Sequence, residues 1–217
     1  MNNGFVGVNV GQAVRDLENF RSIANQIENK LAQASNEFAD GIVNNWASPR
    51  AVEFEKEYNY KLIDLYAKPK EIFDSILYDA ACAISNLASQ QGVSFDPTRY
   101  YPQSTSKYYG NGAFRTMRES GPNGEVGMDS NAVQGTTVAF LAQVSSAVSL
   151  IGNLPSAIAI YDAYNRVQGT FRTRINQAGS IVNELADNIL KSIQSNINQE
   201  QSNLNSAVNQ SASVLQG

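Results

Sequence analysis

The sequence has no histidine and one cysteine, Cys82. Without histidine, the Ser-His-Asp and Cys-His arrangements of nucleophilic catalysis cannot be assembled, and neither can the common mixed Cys and His zinc sites. A single cysteine excludes an intramolecular disulfide. Its setting, Asp79-Ala80-Ala81-Cys82-Ala83-Ile84, is that of a small buried core residue rather than an activated thiol. Charge is scarce as well: Lys and Arg number 16 and Asp and Glu 20, a net charge of −4. The basic residues are scattered, so the chain offers no footprint for nucleic acid or an acidic membrane.

The few charges and glycines present do not form a reactive site. Glu53, Glu55 and Glu57 alternate around a predicted helix, and Asp16 and Glu18 sit on the polar side of another, which is the pattern of a solvated surface. Gly110-Asn111-Gly112 and Gly121-Pro122-Asn123-Gly124 lack the spacing and the following Lys-Ser/Thr of a phosphate cradle. The expectation is a non-enzymatic protein with no catalytic, cofactor or metal site.

Long apolar runs are missing too. The opening Met1-Asn2-Asn3-Gly4-Phe5-Val6-Gly7-Val8 has neither a basic n-region nor an apolar h-region, so it is not a Sec signal peptide and export would need another route. The longest uncharged stretch, Ser130 to Tyr161, is interrupted by polar residues and Pro155, unlike an ordinary transmembrane helix.

What the sequence does have is helical periodicity over an apolar content of 42%, enough for a core in 217 residues. Leu17, Phe20, Ile23, Ile27, Leu31, Ala34, Phe38 and Ile42 predict a helix from about Val10 to Asn45. Trp46-Ala47-Ser48-Pro49 then breaks it, with Ser48 placed as a cap and Pro49 at the first position of the next helix. The second helix runs to about Gly92 and carries Pro69, which predicts a kink or, alternatively, a break. The connection is so short that the two helices must form an antiparallel hairpin.

Residues 93–130 differ in kind, with Pro97, Pro102, Pro122 and paired Tyr100-Tyr101 and Tyr108-Tyr109. Asn111-Gly112 between aromatic flanks predicts a small β-hairpin, and the tyrosines are expected to pin this insertion to the helices. Helical pattern resumes near Asn131, stops at Gly152-Asn153-Leu154-Pro155 and continues in a long last helix. Its end thins to a narrow seam of Ile193, Ile197, Leu204, Val208 and Leu215, spaced as in a coiled coil and suited to docking a partner.

Sliding the chain along itself by 106 residues superposes the two turns. Pro49, Ala51 and Phe54 fall on Pro155, Ala157 and Ile160, and Tyr58-Asn59 falls on Tyr164-Asn165. Core positions keep register on both sides, as with Phe38 on Val144 and Ile76 on Val182. One amphipathic hairpin cannot bury both of its stripes, so a second, covalently attached hairpin would complete the core. The expected architecture is all-α: hairpins at 1–92 and 131–217 in an elongated four-helix bundle, a pseudo-dimer in one chain.

The first turn resembles that of the WXG (ESAT-like) family, small helical hairpins exported by type VII secretion systems. Trp46, Ala51 and Phe54 match the family's Trp-x-Gly turn and the positions after it, with Ser48 at the glycine position followed by Pro49. Tyr60-Lys61-Leu62-Ile63-Asp64 spells the family's Tyr-x-x-x-Asp/Glu export signal, though early in the second helix. The resemblance implies a protein secreted to the medium or cell surface that acts by protein-protein contact. Its partners would be the secretion ATPase and another small helical protein, and it would be a monomer with an internal pseudo-dimer or a homodimer. Two other readings compete: an α-helical pore-forming toxin using the uncharged 130–161 segment, and a structural or phage-derived bundle.

Overall fold

In the computed structural model, which describes residues 7–109, 116–155, 160–161 and 166–216, the first three long helices each start at an oxygen-bearing cap. Asn9 accepts from the Gln12 N–H at 3.0 Å and starts α1, Val10–Asn45. Ser48 accepts from the Ala51 N–H at 3.2 Å and starts α2, Pro49–Gln90. Asp129 accepts from the Ala132 N–H at 3.0 Å and starts α4, Ser130–Ile151. Each cap satisfies one amide that the first helical turn leaves without a partner.

Helix α2 passes through Pro69 unbroken, and Pro69 is itself buried. The helix stops as Gly92 predicts: Gly92, at φ 75°, lets the Val93 and Gly92 amides return to the Ala88 and Ser89 carbonyls. The last helix, α5, spans Arg166–Gln216.

Packing follows from the apolar stripes. Helices α1 and α2 run antiparallel, with Phe20 edge-on to Phe73 and the buried Ser35 hydroxyl donating to the Leu62 carbonyl at 3.0 Å. Helix α4 lies antiparallel along α1, placing Phe140 on Phe38 with ring centroids 4.8 Å apart. Gly41 permits that approach, since a Cβ there would overlap the Thr136 side chain. Helix α5 lies antiparallel along α2: Arg174 reaches Asp79 at 2.6 Å and Ser75 at 2.7 Å, and Arg50 reaches Asn196 at 2.8 Å. One continuous apolar core joins both hairpins and takes in Tyr100 and Met117 of the insertion.

Two short antiparallel ladders fasten the hairpins reciprocally. Strand β2 (Trp46–Ala47), the turn of the first hairpin, pairs with β3 (Gly127–Met128), which leads into α4. Strand β4 (Ile160–Tyr161), in the turn region of the second hairpin, pairs with β1 (Gly7–Val8), which leads into α1. Gly7-Val8-Asn9 and Gly127-Met128-Asp129 are thus equivalent, each a two-residue strand followed by a capping Asx residue. That correspondence places Gly7 on Gly127, a different offset from the one that superposes Pro49 on Pro155.

The second turn therefore departs from the sequence-based expectation. Pro49 opens α2, whereas Pro155 lies just past the end of α4. Ile160 and Tyr161, expected on a helical stripe, pair as β4 with Gly7–Val8. Ala157, Tyr164 and Asn165 lie outside the described residues, and of Ile160 only the backbone pairing is described. Residues 110–115, where the β-hairpin was expected, also lie outside them. Tyr108 and Tyr109 belong to a single helical turn, α3 (Ser106–Tyr109), and not to a strand.

Candidate functional site

The Trp46 turn is built from its own side chains. Trp46 is buried at 2% exposure, 5.5 Å from Phe54 between ring centroids, and Phe54 stacks on Tyr58 at 4.4 Å. The indole Nε1–H donates to the Ser48 hydroxyl at 2.9 Å. That same hydroxyl accepts from the Ala51 amide and so starts α2. One buried oxygen joins the aromatic plug to the helix start, while Pro49 supplies the φ of the first helical residue. Ala51 is fully buried, as close contact between α1 and α2 at the turn requires.

The outer edge of this turn is also covered. Asp129 N–H donates to the Asn45 carbonyl at 2.9 Å, and Ala47 forms a parallel bridge with Arg118. Between the turn and the Gly121–Val126 loop lies an open cleft of about 510 Å³, bordered by Asn44, Arg118, Glu125 and Asp129. Asp129 and Glu125 are occupied locally, by the Ala132 amide and by Asn123.

Tyr60 and Asp64, the candidate export signal, are one helical turn apart on α2 but differ in environment. Tyr60 is 64% exposed. Asp64 accepts from the Tyr109 hydroxyl at 2.6 Å and pairs with Lys68 at 2.8 Å. Both carboxylate oxygens are thus engaged within the chain.

That Tyr109 contact is one of a series. The Tyr100 hydroxyl donates to Glu18 at 2.8 Å, Tyr108 to Glu28, and the Thr105 hydroxyl to Glu71. Burial and the adjacent Glu18 carboxylate push the Tyr100 phenol up to about 12. Burial together with Glu28, and burial together with Asp64, raise Tyr108 and Tyr109 in the same direction. The insertion is fastened by phenols to acids on α1 and α2. Cys82 faces this side: it is half-buried beside Tyr78 rather than in the core, and the Tyr78 phenol is raised chiefly by its hydrogen bond to Cys82. Tyr78 in turn meets Tyr101 edge-on at 5.3 Å.

The C-terminal seam divides in two. Ile193 and Ile197 are buried in the core, whereas Leu204, Val208 and Leu215 are exposed on the part of α5 that runs past it. Helix α4, for its part, is long and apolar enough to cross a bilayer by length and composition, and less than a quarter of its apolar stretch is buried. Within Ser130–Ile151 the interruptions are Asn131, Gln134, Gly135, Gln143 and small Ser and Thr residues, none of them charged, while Gly152, Asn153 and Pro155 lie beyond it. Among the described residues no group of three or more Cys, Asp and Glu side chains could hold a metal ion.

The chain matches no protein-family model, no curated protein and no solved structure.

The sequence missed two features here, and each had a signal. The tyrosine-to-carboxylate fastenings could be suspected from paired tyrosines opposite acid-bearing helices, but the partners are 45 to 82 residues apart in the chain. The strand-and-cap repeat was visible as Gly-Val-Asn and Gly-Met-Asp, three residues each, too short to stand out.

Proposed function

We propose that this is an exported, non-enzymatic interaction protein, a tandem double-hairpin substrate of a type VII secretion system. In this reading the four long helices make an elongated four-helix bundle, and the two hairpins are a pseudo-dimer within one chain. The supporting observation is the reciprocal clasp. Each hairpin's turn region is paired by the strand that leads into the other hairpin, as two-fold-related partners would do. Trp46 sits buried at the centre of one such turn.

The partner this reading requires is the secretion ATPase, with a further small helical protein as a second candidate. Nucleic acid has no basic surface to meet. The test is export itself: the chain should reach the culture supernatant when the type VII ATPase is intact and remain inside the cell when it is deleted. Equal amounts outside the cell in both strains would refute the proposal. Asp64→Asn and Tyr60→Ala, assayed in parallel, decide whether the Tyr60 and Asp64 pair is the signal.

A second reading, pore formation, draws support from α4 alone. It carries no charge between Ser130 and Ile151, so leaving the core for a bilayer would bury no ionised group. Its serines and glutamines suit a solvated helix equally well. Dye release from liposomes at neutral and acidic pH tests it, and intact vesicles at micromolar protein would end that reading.

A further inference from the structure

The stripe that seals the core on α5 continues past the point where the core ends. At 100° per residue, Leu204, Ala207, Val208, Val214 and Leu215 fall within about 120° of arc, in line with the buried Ile193 and Ile197. From residue 201 to 215 every position is exposed, with Val208 at 65% and Leu215 at 88%. Such a helix has little to sustain it alone. It contains Asn203, Asn205, Asn209 and several serines, weak helix formers, and no ion pair can form because no charged residue follows Glu200. A single short helix of this composition is marginal in water.

Two observations identify what covers it. First, the segment carries no charge at all, so a partner selected by charge has nothing to read, whereas an identical segment meets it with no like-charge contact. Second, α2 already occupies the stripe side of α5, antiparallel to it, and begins at Pro49, next to the Arg50–Asn196 contact. Past Glu200, which is itself buried, every described position on that side is exposed. A parallel partner helix would carry its own α2 into the space that α2 fills, but an antiparallel one simply extends the line that α2 leaves. Antiparallel pairing also opposes the helix dipoles favourably.

We propose that residues 201–216 pair antiparallel with the same segment of a second copy of this chain, burying Leu204, Ala207, Val208, Val214 and Leu215. The paired segments are about 24 Å long. Contact along one face of each covers on the order of 1,000 Å², the lower end for a specific interface.

Sedimentation velocity on the full chain from about 1 to 200 micromolar tests this. The wild type shifts from monomer to dimer across that range. Leu204→Lys or Val214→Glu alone weakens the dimer about tenfold or more, with the single-tryptophan fluorescence unchanged as a check that the core is intact. Mixing the two variants restores dimer, because antiparallel overlap sets position 204 against 214, whereas a parallel pair would set 204 against 204. A wild type that stays monomeric throughout overturns the proposal. So does a dimer indifferent to both substitutions, a failure of the mixture to recover, or association only with a different helical protein.

Discussion

Ser48→Ala removes one oxygen that does two things, and the cost can be worked out from the turn. Losing the cap on α2 costs about 1 kcal/mol. The Trp46 Nε1–H, 2.9 Å from Ser48 Oγ and buried, is left without an acceptor, which costs roughly 1 to 3 kcal/mol. The substitution should therefore destabilise the chain by about 2 to 4 kcal/mol, which for this length lowers Tm by roughly 2 to 4 °C per kcal/mol. Trp46→Phe removes the indole donor, so in that background Ser48→Ala should cost only the cap, about 1 kcal/mol. Urea unfolding followed by circular dichroism on all four chains completes the cycle, with an expected coupling of about 1 to 3 kcal/mol. Coupling below about 0.3 kcal/mol would show that Ser48 does not hold the indole, and the account of the turn would fail.

Other perturbations read different parts of the molecule. Gly41→Ala places a methyl on Thr136, so it should cost about 1 to 3 kcal/mol in urea unfolding and be relieved by Thr136→Ala. Phe140→Ala empties the contact with Phe38 and should cost about 3 to 5 kcal/mol by the same measurement. Alkaline titration reads the insertion. Tyr100, Tyr108 and Tyr109 have phenols raised in the folded chain, so their contribution is complete below the ordinary value near pH 10. It is lost as pH rises through the folded value, about 12 for Tyr100. Tyrosinate absorbance should show these three ionising after the other tyrosines, with faster amide exchange in residues 95–109 over the same pH interval. Normal ionisation of all ten tyrosines near pH 10 would contradict the fastenings.

How legible each element was depended on the range of the forces that make it. Helix α1 was readable to its ends, because its stripe, the Asn9 cap and the Trp46 break are all local. The Gly92 stop of α2 was equally local. Pro69 suggested a kink or, alternatively, a break, and the break does not occur: the helix runs on, its apolar face held on both sides of the proline by α1 and α5. The second turn was misplaced for the opposite reason. Proline and alanine at 155 and 157 looked like a helix start carrying Ile160 on its stripe, but Ile160–Tyr161 pairs with Gly7–Val8, and no local rule encodes a partner about 150 residues away.

The sequence alone determined that this chain is mostly helical, that its first hairpin turns at Trp46, and that it lacks the residues for the commonest catalytic and metal sites. Periodicity, caps and composition act within a few residues, and they suffice for that much. Tertiary structure decided the rest: the crossed clasps, the tyrosines fastened to acids on α1 and α2, and the point on α5 where a stripe of uniform spacing passes from buried to exposed. Ile197 and Leu204 belong to one pattern in the sequence, and only the place where α2 and the β3 strand stop covering α5 sets them apart.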